Sequence, residues 1–410
     1  MHGSHMNCPQ SSSSERRYRA LAFVFSFVLF VVLLLPGMSL AGAPVLTAQA
    51  FIHNDAGAII WPWSISQSGD HGYYVTGAMS QDGWAVKTDA KGDILWRYDL
   101  RESKAGLINP GGVFIYGAVP ANHRDTYLCA SSVSQVATLV RLDRRGRELR
   151  KTPLLPDPQG RGDGRYVSLG ASCMRWKSNL VYVGDEQFYE RYGPHQSEND
   201  RFYWVLVFDK AGHIKRELQI PVGVRTPGRI TAYIDGDSLL FSHTDNTNTE
   251  LVQVDLSAGT SLKREVPGSA FVIRPIQSSF AFSFLRRPEV RLLRFGNDIL
   301  SFSNQLREDT RVADAPRDFS GVAGYTQRDG SCMLFGYHLN VRRRHGVMGM
   351  VLLASSQAED VVDLPTPDSA TAIGIPQLMD VSTGYGTHAF AVLRKIPALD
   401  GAVIDFVDIK

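Results

Sequence analysis

Cysteine is scarce: the chain has four, Cys8, Cys129, Cys173 and Cys332, in 410 residues. That excludes a scaffold built on disulfides. Metal-ligand spacing is missing too, since neither Cys-x-x-Cys nor His-x-x-x-His occurs and the eleven histidines are scattered. No Gly-x-Ser-x-Gly nucleophile elbow is present. Net charge is close to zero, with 43 Lys and Arg against 41 Asp and Glu, so no strong overall field points to nucleic acid or an anionic membrane. Long helical periodicity is absent, and 37 Gly and 20 Pro punctuate the chain every few residues. The sequence therefore offers no catalytic set, no metal site and no cofactor site.

What is present begins with an export pattern. Met1 to Met6 reads as a tag-like remnant. Arg16, Arg17 and Arg19 precede an apolar run from Ala20 to Leu35, then Pro36, then Ser39-Leu40-Ala41. Charged, apolar and small residues in that order make a secretory signal, with cleavage expected after Ala41. The apolar core is roughly 15 residues, short for a bilayer-spanning helix; an uncleaved anchor is the alternative, and the only membrane contact expected. Cys8 lies before the apolar run, where it cannot become a lipidated N-terminus. The reading is thus 1–41 as tag-like residues and signal peptide, and 42–410 as one domain, periplasmic or secreted. Cys129 with Cys173 is the expected disulfide, because both fall in expected strands of neighbouring repeats; three buried reduced cysteines are the other reading.

The domain is repetitive. Trp84 to Trp96, Thr138 to Arg150, Trp204 to Arg216 and Leu251 to Lys263 share one form: an alternating β run, an Asp-x-x-Gly turn (one residue longer in the fourth), and a second short strand. The turn pairs are Asp89 and Gly92, Asp143 and Gly146, Asp209 and Gly212, Asp255 and Gly259. Asp caps such a turn by accepting bonds from backbone two residues on, and Gly supplies the positive φ. A further β run lies upstream of each, and the interval of roughly 45–65 residues suits a propeller. Later the repeat decays. Phe280 to Phe284 with Val290 to Phe295 reads as a hairpin, as do Met333 to Tyr337 with Val347 to Leu353 and Ala389 to Leu393 with Ala402 to Val407. About 370 residues at roughly 50 per blade predict an all-β propeller of about seven four-stranded blades. Residues 44–63 are expected to give a strand to the last blade and close the ring.

Gly72-Tyr73-Tyr74-Val75-Thr76-Gly77 followed by Trp84 to Trp96 resembles the repeats of secreted bacterial β-propellers. It is also similar to the tryptophan-docking segment of quinoprotein dehydrogenases, with a turn one residue tighter. In the other three repeats the place of Trp96 is taken by Arg150, Arg216 and Lys263. Quinoprotein enzymes carry a vicinal cysteine pair on the cofactor and a calcium-binding carboxylate and amide set. No Cys-Cys pair exists here, so the resemblance implies the non-enzymatic propellers that act as scaffolds in envelope protein assembly.

Candidate binding residues sit in two segments. Phe188 to Trp204 reads as a long insertion carrying Tyr189, Arg191, Tyr192, His195, Arg201 and Tyr203, and Tyr and Arg anchor protein interfaces. Arg342, Arg343 and Arg344 form a basic hairpin tip suited to an acidic partner or a phosphate. Trp61-Pro62-Trp63 is expected in the core or as a lid on the central channel. Asp245-Asn246-Thr247-Asn248 and Arg161-Gly162-Asp163 read as polar turn and linker rather than calcium or integrin sites. The function expected is a non-enzymatic, exported protein-binding propeller: an assembly scaffold, or an immunity-type inhibitor of an exported toxin, whose partner is another envelope protein or that toxin. The alternative is a propeller enzyme acting on a polysaccharide or envelope polymer, recognisable by two or more carboxylates converging with Arg or His at the channel mouth.

Overall fold

The fold is known from a computed structural model, which describes residues 44–53, 59–80, 82–101, 113–121, 125–131, 137–154, 165–189, 201–224, 230–245, 247–268, 270–275, 290–294, 298–302, 306, 308–314, 319–326, 332–340, 345–354, 357–358, 362–363, 377–383, 390–395 and 401–409. Every regular element in them is a strand. Strand β1 is Pro44–His53. The first sheet is β2 (Ile60–Gln67), β3 (Tyr73–Met79), β4 (Asp82–Thr88) and β5 (Ile94–Leu100), hydrogen-bonded in chain order. The second is β6 (Phe114–Pro120), β7 (Thr126–Ser131), β8 (Ala137–Leu142) and β9 (Glu148–Pro153). The third is β10 (Arg165–Trp176), β11 (Asn179–Tyr189), β12 (Arg201–Phe208) and β13 (Ile214–Pro221). The fourth is β14 (Ile230–Asp235), β15 (Ser238–Thr244), β16 (Asn248–Asp255) and β17 (Thr260–Pro267).

Next come β18 (Ala270–Pro275), β19 (Val290–Arg294), β20 (Asp298–Phe302), β21 (Glu308–Asp314), β22 (Phe319–Thr326), β23 (Cys332–Asn340), β24 (His345–Ala354), β25 (Gln357–Ala358) and β26 (Val362–Asp363). They form one nine-stranded sheet. Finally β27 (Gln377–Thr383), β28 (Phe390–Lys395) and β29 (Gly401–Ile409) make a sheet whose fourth, outer strand is β1. The N-terminal strand thus completes the C-terminal blade, with Pro44 opposite Ile409 and His53 opposite Gly401. Closure removes the open edge that a row of blades would otherwise present.

The blade count differs from the expected seven: five separate four-stranded sheets are present. The cause lies in β18. It pairs antiparallel with β19, and also parallel with β22 through Arg274–Tyr325 and Pro275–Thr326, fusing two antiparallel ladders into one sheet. The expected hairpin of 280–284 with 290–295 is also corrected. The strand at 290–294 pairs with β18 and β20, while 280–284 lies outside the described residues. Strong repeats were legible where both strands of a turn were short and alternating; here the pairing is non-local.

The apolar core lies between blades, because the inner strands such as β3 and β7 are buried on both faces. One cluster joins Ile65, Tyr73 and Trp84 to Leu393 and Phe406 across the closing seam. Others join the first and second sheets, the second and third, the third and fourth, and the fourth to Phe302. Cys129 on β7 and Cys173 on β10 are disulfide-bonded across the second seam.

The Asp-x-x-Gly turns lock the same seams. The Oδ1 atoms of Asp89, Asp143, Asp209 and Asp255 each accept two backbone N–H bonds from the following residues. Gly92, Gly146, Gly212 and Gly259 all have positive φ. Gly146 has a second reason to be glycine: a Cβ there would lie 2.8 Å from the Trp96 ring of the preceding blade. This turn therefore sits on the outer strand of the preceding blade. Gly146→Ala should cost about 1–2 kcal/mol for its conformation alone, and more because Trp96 must shift. Gly236→Ala is the control, since Gly236 has φ 59° and nothing within 4 Å. Urea unfolding of both variants isolates the docking contribution as their difference.

Candidate functional site

The topology separates two rims. In an antiparallel four-stranded blade, the hairpins between strands one and two and between three and four share one end. The second-to-third hairpin and the crossovers between blades share the other. All four Asp-x-x-Gly turns lie on the first rim. The β11 and β12 ends that bracket 190–200 lie on the second. Because β22 runs parallel to β18, the β23 and β24 ends that bracket 341–344 lie there as well.

Of the expected binding residues, Arg191, Tyr192, His195, Arg342, Arg343 and Arg344 lie outside the described residues, and Tyr189 is described only as the last residue of β11. Arg201 and Tyr203 are corrected. Both belong to β12, not to the insertion, and they are 8% and 0% exposed. Strand pairing carries them inward: Arg201 stands opposite Gln187 and Tyr203 opposite Asp185.

They form a buried polar knot between the third and fourth sheets. Arg201 Nε donates to Asp185 Oδ1 at 2.8 Å, NH2 donates to Oδ2 at 2.5 Å, and NH1 donates to the Val224 carbonyl at 2.9 Å. The Tyr203 hydroxyl lies 2.6 Å from Glu250 Oε2, to which it donates, and 2.9 Å from His243 Nδ1. Glu250 also accepts from the Gly223 N–H at 2.7 Å and from Lys263 Nζ at 2.8 Å. Burial alone would push the Glu250 carboxyl up, but the donors Lys263, Tyr203 and Gly223 hold it below its ordinary value. Burial lowers His243 and raises Tyr203, favouring the neutral form of each. His243 Nε2 stands 3.5 Å from Asp185 Oδ2.

On the other face of β11, Glu186 points towards the second sheet. It is 1% exposed and accepts from the Tyr182 hydroxyl at 2.6 Å. Burial raises its pKa to about 8; the nearby Asp185 charge adds to this and the Tyr182 and Ser168 hydroxyls oppose it. Its folded value is thus above the ordinary 4.5. The stability it contributes is fully present below pH 4.5 and is lost as pH rises towards about 8. Glu186→Gln should remove this component and flatten stability across that window, measured as urea midpoints against pH.

Carboxylates do converge with Arg and His here, which is the arrangement an enzyme would use. The groups are nevertheless sealed in a seam: Asp185, His243 and Glu250 are at most 3% exposed, and each charge is met by a fixed partner. Such a set binds blade to blade. A similar buried pair, Arg394 with Asp405, spans β28 and β29, and Gln49 of β1 donates to Asp405 at 2.6 Å. Among the described residues, no group of three His, Cys, Asp or Glu side chains could hold a metal, and no helix is long and apolar enough to cross a membrane. Asp245 accepts from Thr247 and Asn248, closing a tight turn. Trp63 packs edge-on against Phe114 and Tyr116, while Trp61 is 45% exposed beneath the Lys395 ammonium.

Sequence reasoning missed Asp185, Glu186, His243 and Glu250. Their signal was available: Asp185-Glu186 interrupts an apolar strand, Leu180 to Val183, and charge within such a strand implies a buried partner.

No family model matches the sequence, and no curated protein matches it. Among solved structures, BBS1N in complex with ARL6DN is similar with TM-score 0.52 at 10% identity, covering 90% of this chain and 98% of that one. BamB from Moraxella catarrhalis is similar with TM-score 0.44 at 11% identity, covering 90% and 94%. Acylaminoacyl peptidase from Pyrococcus horikoshii is similar with TM-score 0.44 at 10% identity, covering 82% of this chain and 49% of that one. At these identities the likeness to BBS1N speaks for the fold alone: the chain is an all-β propeller.

Proposed function

We propose that this chain is an exported, non-catalytic propeller of the bacterial envelope that holds another protein on its second rim. The observation that carries the reading is the division of the rims. In the first four blades, one carries tight Asp-capped turns docked on neighbouring blades. At the other lie the strand ends that bracket 190–200 and 341–344, the segments of Arg191, Tyr192 and His195 and of Arg342 to Arg344. On β11, β12 and β16, the buried knot of Asp185, Arg201 and Glu250 fixes the pairing near the ends that bracket 190–200. A stiff base bearing a long connection is a usual arrangement for recognition. BBS1N, crystallised with ARL6DN, is a structure of the same fold in a protein complex. The bond between Cys129 and Cys173 suits an oxidising compartment. The partner class is an envelope assembly component or an exported toxin.

The test is affinity capture from a periplasmic extract with wild type and with Arg191→Ala/Tyr192→Ala. Loss of two interface anchors should weaken capture by about tenfold or more, with an unchanged thermal melt. Equal recovery of the same partner by both proteins would refute the assignment to this rim.

A further inference from the structure

The near-zero net charge conceals a local excess. Arg144, Arg145, Arg147, Arg150 and Lys151 crowd the hairpin between β8 and β9 against a single carboxylate in that stretch, Glu148. Glu148 accepts from the Tyr98 hydroxyl at 2.5 Å, and Arg147 is paired with Asp143. Arg144, Arg145, Arg150 and Lys151 stand exposed. On the next blade Glu217 accepts from Trp204 Nε1 at 2.8 Å, and Glu217 and Lys215 are both exposed, as is Glu148.

Aliphatic side chains accompany these cations. Ile94 and Leu95, Leu149, Ile214 and Leu262 occupy the start of the outer strand on four successive blades, two or three residues past the turn glycine, and each is 44–55% exposed. They share the rim of Asp-x-x-Gly turns, opposite the rim proposed to hold a protein. Each blade contributes its own anchor along an arc. Strand β1 also begins at this end, with Pro44 opposite Ile409.

We infer that this rim lies on an anionic phospholipid surface, with the Arg144–Lys151 hairpin meeting headgroups and the aliphatic arc entering the interface. Cations beside shallow apolar anchors are the chemistry of interfacial binding. An extended, laterally continuous occupant meets anchors spread over four blades at once. The ring would then face the bilayer with one rim and offer the other to its partner.

The test uses the chain from Gly42, which holds every strand of the closed ring, in flotation with vesicles. Wild type should bind phosphatidylglycerol–phosphatidylcholine vesicles, ignore pure phosphatidylcholine, and dissociate at high salt. Arg144→Glu/Arg145→Glu/Arg150→Glu should lower partitioning by about a hundredfold, with circular dichroism unchanged. If that variant fails to fold, the corresponding Gln variant should still bind measurably more weakly. Leu95→Ser/Leu149→Ser should reduce binding by about tenfold or more and leave its salt dependence intact. Failure of wild type to bind the anionic vesicles, or equal binding by the charge variants, overturns the inference. So does Arg-dependent binding of polyglutamate by a protein that ignores vesicles, which would make the occupant an acidic polypeptide. Capture of a partner through Arg191 and Tyr192 is unaffected by any of these results.

Discussion

Arg201→Ala should lower the unfolding free energy by about 3–5 kcal/mol. The loss is large because truncation leaves Asp185 charged, fully buried and stripped of both guanidinium bonds. Arg201→Lys should recover little, since an ammonium cannot reproduce the bidentate fork and the third bond to Val224. Asp185→Leu/Arg201→Met should be far milder than either single change, because it removes both charges from the seam together. Urea unfolding of wild type, Asp185→Leu, Arg201→Met and the double variant gives the coupling directly. Additive losses in the double variant would show that the pair is not a unit.

Breaking the bond between Cys129 and Cys173 should be of similar size. The bridge spans 44 residues, and the chain-entropy model gives about 4 kcal/mol for a loop of that length. It also ties the second strand of one blade to the first strand of the next, so reduction loosens a seam as well as the unfolded chain. Cys129→Ser/Cys173→Ser, compared with reduced wild type, should show the same lowered urea midpoint. A midpoint insensitive to reductant would mean that the seam is held by packing around Cys129 and Ala171 alone.

The propeller was legible because its turns are local. Asp89 to Gly92 and its three counterparts are read within a few residues, and each accepts its turn amides as the spacing requires. The return of the N-terminal strand to the last blade was legible from the need to bury an edge. The blade count was not, because the two-residue parallel pairing of β18 with β22 is a contact between segments about fifty residues apart, and no local pattern announces it. Burial was misjudged at Arg201 and Tyr203 for a related reason. Their residue types are those of an interface, but their depth is set by strand pairing with Gln187 and Asp185. The partner that neutralises Arg201 lies on another strand, so its charge read as solvent-facing.

The central claim is that β1 closes the ring by becoming the outer strand of the C-terminal blade. Beyond the ladder itself, the Thr47 hydroxyl donates to the Phe406 carbonyl at 3.0 Å and Gln49 donates to Asp405. Native-state hydrogen exchange measures this directly. Amides of β1 paired with β29 should open only with the ring as a whole, at the free energy shared by β28 and β3. Rapid, independent exchange of 44–53 while those strands stay protected would contradict closure and the account built on it.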